Sequence, residues 1–291
     1  MTTYGWPILF TLALWWGSTI VILYLDGLPR RTYFWSMTGI SLLAMGALAG
    51  LAIASGDTSV TGAYRAFTCG LILWAWQITS YFMGLTTGPR RTPCDPSCRG
   101  WRRFVAAVST CLYHELGIAV MAVVIVALVR DQPNAFGAWT FIVLWWMHAS
   151  AKLNLFFGVP NRGEEFIPPH LQYLTSYMAT RPMNAFFPFS VSVSTVIAVI
   201  LAGNAISVTA TPFEATGFTM LASLMVLAIL EHWLLVTPFD ANALWQWGLR
   251  TAPDAGPTEP GPPAESSSIM ETSCVPDASS QPKRRRVISP A

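Results

Sequence analysis

Six titratable side chains lie inside strongly apolar stretches of this sequence. They form three short groups: His114 with Glu115, His148 with Lys152, and Glu231 with His232. A charged side chain at the centre of a bilayer costs about 2.5–3.5 kcal/mol on insertion scales, so such groups are expected to face the protein interior and to pair. We interpret Glu115, Lys152 and Glu231 as an intramembrane polar network, in which Lys152 forms an ion pair with Glu115 or with Glu231.

The three histidines are compatible with more than one chemical role. Neutral imidazole is a common axial ligand, so His114, His148 and His232 are candidate ligands for the magnesium of a chlorophyll-type pigment or for haem iron. The same cluster can relay protons or bind an ion during transport, or it can hold a metal for catalysis within the membrane. The structural alternative is a buried polar network that sets the helix register.

No motif in the sequence singles out an enzyme. Neighbouring residues on a helix point about 100° apart, so we expect His114 and Glu115 not to serve one small site together. The sequence contains no H-E-x-x-H motif and no E-x-x-H pair repeated on two helices. We therefore assign no catalytic residue and no metal ligand, and we predict that the protein is not an enzyme.

The composition indicates the class of protein that holds these residues. Hydrophobic residues make up 53% of the 291 residues and charged residues 11%, against about 25% charged in typical soluble proteins. This excludes a soluble enzyme domain and a disordered chain, and a net charge of +2 is too small to indicate a nucleic-acid partner.

Seven stretches are long and apolar enough for transmembrane helices, which need about 20 residues. They are residues 6–25, 34–54, 66–85, 105–129, 138–158, 186–207 and 216–237. The predicted fold is an all-α integral membrane protein with seven transmembrane helices in residues 1–250. Residues 251–291 are rich in Pro and Ser and are predicted to form a disordered polar tail.

The distribution of positive charge predicts the orientation. Fourteen of the 17 Lys and Arg residues follow the first, third, fifth and seventh stretches. Cytoplasmic loops carry such an excess, so the N-terminus is predicted outside, in the periplasm, and the C-terminus in the cytoplasm. The six titratable residues then lie about 8–15 Å from the cytoplasmic ends of their helices.

The longest predicted loop, residues 159–185, contains a candidate short helix. Pro168 and Pro169 can begin it, and Leu171, Leu174, Tyr177 and Met178 would share one face. Two interpretations stand at this point. The segment is either an amphipathic helix at the membrane interface or an ordinary surface helix packed on the bundle.

Several motifs along the chain resemble the photosynthetic complex assembly protein PuhE family of purple phototrophic bacteria. They are TGPRR (87–91), YHEL (113–116), SAKLN (150–154), FGVPN (157–161), RPMN (181–184) and LEHW (230–233). The resemblance covers about residues 4–249, and residues 150–184 are its most specific part.

The resemblance implies a role in building the reaction centre and its core antenna. It implies a multi-pass protein of the cell inner membrane, in its intracytoplasmic photosynthetic region. Its expected partners are the lipid bilayer and reaction-centre or light-harvesting subunits, with no nucleic acid. Such proteins are encoded beside the reaction-centre H subunit and are expected to influence bacteriochlorophyll supply.

We therefore predict a non-catalytic assembly factor that handles bacteriochlorophyll or nascent pigment–protein subunits. Bacteriochlorophyll is the candidate ligand, although the sequence assigns no cofactor. Tryptophans 74, 76, 139, 145, 146 and 233 are available to stack on a macrocycle. The alternative is a membrane transporter, or an enzyme of tetrapyrrole metabolism that uses the His/Glu/Lys cluster.

Overall fold

The computed structural model describes residues 2–237, and in that part of the chain it contains helices and no strands. The seven long helices are α1 (Thr2–Asp26), α2 (Tyr33–Ala54), α3 (Val60–Phe82), α4 (Gly100–Val129), α5 (Phe136–Phe157), α6 (Phe186–Ala205) and α7 (Pro212–Leu234). The predicted tail, residues 251–291, lies outside the described residues.

The seven helices correspond one to one with the seven predicted stretches. Their C-terminal ends lie within three residues of the predicted ends, whereas α1, α3, α4 and α7 begin four to six residues earlier than predicted. The early starts contain polar residues such as Arg65 in α3 and Arg102 in α4. The backbone hydrogen bonds of a helix continue through such residues, whereas a prediction based on apolar stretches begins only after them.

Five of the helices are long and apolar enough to cross a membrane: α1, α2, α4, α6 and α7. Neither α3 nor α5 meets that criterion, although both have the length of a span. These two helices carry polar side chains such as Gln77 and Asn154, both of which are buried. The described residues thus form an all-helical bundle with five candidate membrane spans, and passage of all seven helices through the bilayer stays a prediction.

The polar helix α3 is surrounded by other helices. It packs against α1, α2, α5 and α7, and smaller contacts join it to α4. Its buried Phe67 and Leu73 belong to one apolar core with Leu51, Phe141 and Leu224. A helix on the outside of the bundle is expected to contact lipid, whereas a helix enclosed in this way contacts other helices. It therefore tolerates polar residues that find partners inside the bundle.

Two glycines allow α3 and α5 to cross at close range. A Cβ atom on Gly70 would lie 2.3 Å from the carbonyl oxygen of Gly137, and one on Gly137 would lie 2.6 Å from the Ala66 carbonyl oxygen. Small residues at helix interfaces in membranes permit such backbone approach. This crossing sets the position of α5, which carries His148 and Lys152.

The segments predicted to be cytoplasmic lie together at one end of the bundle. The turn after α1 and residues 166–170 line a common cavity of about 680 Å³. The Nε2 atom of His170 lies 2.9 Å from the carbonyl oxygen of Phe82, at the end of α3. Asn161 donates to the carbonyl oxygens of Leu234 and Thr237, at and just beyond the end of α7. These segments therefore lie at the same end of the bundle, and the charge bias predicts that this end faces the cytoplasm.

The candidate helix in the longest loop is a 3-10 helix, Pro169–Tyr177. Its residues Leu171, Leu174 and Tyr177 are buried, and the two leucines form a small apolar cluster with Tyr81 of α3. The structure therefore favours the interpretation of a surface helix packed on the bundle.

Candidate functional site

A pair of histidines joins α4 to α5. His114 is completely buried, and its Nε2 atom lies 3.3 Å from Nε2 of His148. Aromatic rings hold both imidazoles: the Tyr81 ring lies 4.5 Å from the His114 ring, and the Trp74 ring lies 5.3 Å from the His148 ring between centroids. Packing therefore orients the two imidazoles toward each other.

An ion pair lies beside the histidine pair. Lys152 Nζ is 2.7 Å from Glu115 Oε1, and the two side chains are 24% and 30% exposed. The same ammonium lies 4.7 Å from the centre of the Tyr81 ring, at the distance of a cation–π contact. Of the two carboxylates proposed as partners of Lys152, the structure selects Glu115.

The structure brings His114 and Glu115 closer to a common point than we expected for adjacent residues on one helix. One potential ligand atom from each of His114, Glu115 and His148 lies within 4.8 Å of the other two. Adjacent residues diverge in direction, but their partners on α5, His148 and Lys152, are four residues apart and span one helical turn. The facing turn of α5 therefore meets both side chains.

The third histidine of the prediction, His232, lies on α7 and has a different set of partners. Its Nε2 atom is 2.9 Å from Ser150 Oγ and its Nδ1 atom is 2.9 Å from the Ala228 carbonyl oxygen. Ser150 thus connects α7 to the helix that carries His148. Sequence reasoning did not assign a role to Ser150, although it begins the SAKLN motif, and hydroxyl residues in membrane helices commonly bond between helices.

Glu231 lines a cavity of about 300 Å³ between α1, α3, α5 and α7. His148 and His232 also border this cavity, and aromatic walls come from Trp15, Trp74 and Phe82. Its volume is at the lower end of small-molecule pockets. Glu231 itself is exposed, so the structure places the polar cluster beside a partly open, mainly apolar space.

The three candidate tetrapyrrole ligands differ in how their ring nitrogens are used. Both nitrogens of His232 have polar neighbours at 2.9 Å, and the Nε2 atoms of His114 and His148 face each other. His148 borders the cavity, and its Nδ1 atom makes no hydrogen bond within residues 2–237. It is therefore the histidine of the three best placed to contact a ligand in the cavity.

The six tryptophans proposed to stack on a macrocycle are dispersed over the bundle. Trp74 alone among them lines the cavity. Trp76 donates to Ser41 and Trp146 donates to Ser194, while Trp139 and Trp233 are 52% and 46% exposed. Among the tryptophans that line the cavity, Trp74 was in the sequence prediction and Trp15 was not.

Two asparagines hold the loop that follows the site. Asn154 of α5 donates to Ser190 Oγ on α6, and Asn184 donates to Asn154 Oδ1 and to the Gly158 carbonyl oxygen. Asn184 Oδ1 in turn accepts from the backbone amides at the start of α6. These asparagines belong to the SAKLN and RPMN motifs, so the most specific part of the family resemblance forms one hydrogen-bond network.

Outside the seven long helices, His170 and Arg90 connect the loops at the same end. Burial and the nearby Arg30 charge lower the pKa of His170, although its contact with the Phe82 carbonyl opposes this. Arg90 donates to the Tyr177 hydroxyl, and this hydrogen bond raises the pKa of the Arg90 guanidinium. Cys94 and Cys98 in the same region are free thiols.

Comparison with known proteins finds a relative of similar length. A protein of Rhodobacter capsulatus described as "Uncharacterized 30.4 kDa protein in puhA 5'region" is 35% identical over 260 residues, which cover 87% of this chain and 94% of that protein. No solved structure matches the chain. The family described as "Protein of unknown function (DUF3623)" matches residues 1–255. Because this match covers most of the chain, the protein belongs to that family.

Proposed function

We propose that the protein is a non-catalytic assembly factor for the photosynthetic reaction centre and its core antenna, acting in the inner membrane of a phototrophic bacterium. The observation that carries the proposal is its 35% identity to a Rhodobacter capsulatus protein that is described by its position in the puhA 5' region. That position suggests a role in photosynthesis, because proteins of one process are often encoded together.

The membrane bundle supports a role that involves apolar partners. Large apolar side chains cover the outer faces of α2 and α4, including Trp35, Ile53 and Val123, which are 73%, 75% and 69% exposed. Such faces pack against lipid or against helices of another membrane protein. In our proposal the protein uses them to contact nascent reaction-centre or light-harvesting subunits.

The cavity beside His148 supports the handling of a pigment or of part of one. It combines aromatic walls with an imidazole and with the carboxylate of Glu231. A neutral imidazole is a suitable ligand for the magnesium of bacteriochlorophyll. In our proposal His148 contacts such a pigment while the pigment passes to an antenna or reaction-centre subunit.

The proposal is tested by isolating the tagged protein from phototrophic membranes and analysing both the proteins and the pigments that accompany it. We expect reaction-centre or light-harvesting subunits in the eluate, and less pigment when His148→Ala replaces the wild type. His170→Ala, in the loop region, is the matched control and is expected to retain the pigment. A colourless eluate without photosynthetic subunits would contradict the proposal.

The rival function is that of a transporter or enzyme of tetrapyrrole metabolism, and the ion pair of Lys152 with Glu115 beside two histidines favours it. A deletion strain separates the two functions. Loss of the complexes with normal pigment levels supports an assembly factor, whereas accumulation of a pigment precursor supports an enzyme.

A further inference from the structure

We propose that His114, Glu115 and His148 form a binding site for a divalent transition-metal cation of the zinc type. The proposal goes beyond the assembly function and does not depend on it. Each of the three residues offers one ligand atom, and the three atoms lie within 4.8 Å of one another. Two imidazoles and a carboxylate are a donor set that zinc accepts, with a fourth position left for water or a substrate.

The distance between the two imidazoles fits a shared metal. Zinc–nitrogen bonds are about 2.0–2.1 Å long, so two nitrogens at a tetrahedral angle lie about 3.4 Å apart. The Nε2 atoms of His114 and His148 are 3.3 Å apart. Without a metal the two rings share an N–H···N hydrogen bond at this distance, and a cation that binds both nitrogens would replace its proton.

The surroundings of the two rings leave them available to a metal. His114 is fully buried, and its Nδ1 atom has no hydrogen-bond partner among the residues that the structure describes. The contact with His148 is thus the one hydrogen bond of the His114 imidazole in this part of the chain, and aromatic packing against Tyr81 and Trp74 orients both rings. Ligands that are oriented before the metal binds lose little freedom on binding.

Lys152 must be considered, because an ammonium group close to a divalent cation is repelled. Its Nζ atom is 2.7 Å from Glu115 Oε1, so the lysine and a metal compete for one carboxylate. Lys152 also borders a cavity of about 140 Å³ between α4, α5 and the 159–185 loop, with Cys111 and Tyr177 in its walls. This space and a flexible four-carbon stem allow the ammonium to move away from the carboxylate when a cation binds.

This competition predicts an effect of Lys152 on metal affinity that nonspecific binding of a metal by histidines would not show. Removing the lysine charge with Lys152→Met should strengthen metal binding, by at least about tenfold, because the repulsion disappears and the carboxylate becomes free. Glu115→Gln should weaken binding, because an amide is a poorer and uncharged ligand.

The experiment uses the full-length protein in detergent, stripped with a chelator, dialysed and titrated with Zn²⁺ against a competing indicator dye. Titration with Co²⁺ adds a spectrum that reports a tetrahedral nitrogen–oxygen site. We expect one equivalent to bind. His114→Ala and His148→Ala should each weaken binding by about a hundredfold or more, since loss of an outer-shell partner alone costs about 10–100-fold.

The matched control is His170→Ala, which removes a histidine from the loop region and should leave the affinity unchanged. If the alanine variants of the site do not fold, His114→Gln and His148→Gln keep the side-chain volume and replace them. The proposal is overturned if the wild type shows no saturable binding at one equivalent. It is also overturned if binding survives in both histidine variants, or if Lys152→Met weakens it. None of these results involves photosynthetic partners, so they are distinguishable from failure of the assembly function.

Discussion

Lys152 on α5 and Glu115 on α4 form an ion pair with 2.7 Å between Nζ and Oε1. Both side chains are less than one-third exposed. His114 is the neighbour of Glu115 on α4, and His148 lies one turn before Lys152 on α5. The ion pair and the histidine pair therefore fix the same register between two helices.

Breaking this ion pair should destabilise the protein. Lys152→Met and Glu115→Gln each leave one polar partner in a largely apolar setting, at a cost of about 1–3 kcal/mol. The double variant should cost less than the sum of the two, by about 1–3 kcal/mol. Thermal unfolding of the four proteins in detergent measures this coupling.

The control for this cycle is the ion pair of Arg130 with Asp131, whose side chains are 81% and 89% exposed. Asp131→Asn should leave the unfolding temperature almost unchanged, since exposed pairs contribute little. Simple additivity of the two buried substitutions would show that the Lys152–Glu115 contact contributes no coupling.

Asn134 should be a strong determinant of stability at the opposite end of the bundle. It is fully buried, and its Nδ2 group donates to the carbonyl oxygens of Ala54, Asp57 and Gly62. Asn134→Ala leaves these buried carbonyls short of a donor and should cost about 2–3 kcal/mol in the free energy of unfolding.

Asn134→Asp separates the two functions of this side chain. It retains the oxygen that accepts from the Phe136 amide but loses the donor group, so it should destabilise the protein by a similar amount. If the aspartate variant is as stable as the wild type in denaturant titrations, the three donated hydrogen bonds do not matter.

The close crossing of α3 and α5 predicts that Gly70 does not tolerate a side chain. In Gly70→Ala the new methyl group meets the Gly137 backbone, and such overpacking typically costs about 1–3 kcal/mol. Gly46→Ala in α2 is the matched control, because nothing lies within 4 Å of the added atom. Alanine favours helix there, so the control should be neutral or slightly more stable. Equal melting temperatures for both variants would contradict the close crossing.

The loop residue His170 should make stability depend on pH. Burial lowers its pKa in the folded protein, so the unfolded chain binds the proton more readily, and stability falls as the pH decreases through about 6.5. His170→Gln removes this titration, and the difference in unfolding temperature between wild type and variant should shrink or reverse between pH 7.5 and pH 5.5. A difference that stays constant over that range would show that His170 does not titrate in the window.

The sequence alone predicted the seven helices, because length and apolarity are properties of each segment. A local signal that the sequence analysis did not use marks the start of α7, where the side chain of Thr211 accepts from the Glu214 amide and Glu214 accepts from the Thr211 amide. Such hydrogen bonds join residues three apart, so they depend little on the rest of the fold.

The sequence also identified His114, Glu115, His148 and Lys152 as candidate site residues. The cost of placing them among apolar residues requires that they have partners. The choice between Glu115 and Glu231 was not readable. It depends on how α4, α5 and α7 are rotated about their axes, and hydropathy carries little information on that rotation.

Tertiary structure decided the rest of the site. The Gly70–Gly137 crossing brings α5 to its position, where one turn of that helix faces both His114 and Glu115 of α4. The side chains of adjacent residues point in different directions from their own helix, yet a second helix alongside can contact both. The physical reason is that helix formation depends on neighbours in the chain, whereas contact between helices depends on packing of the whole bundle.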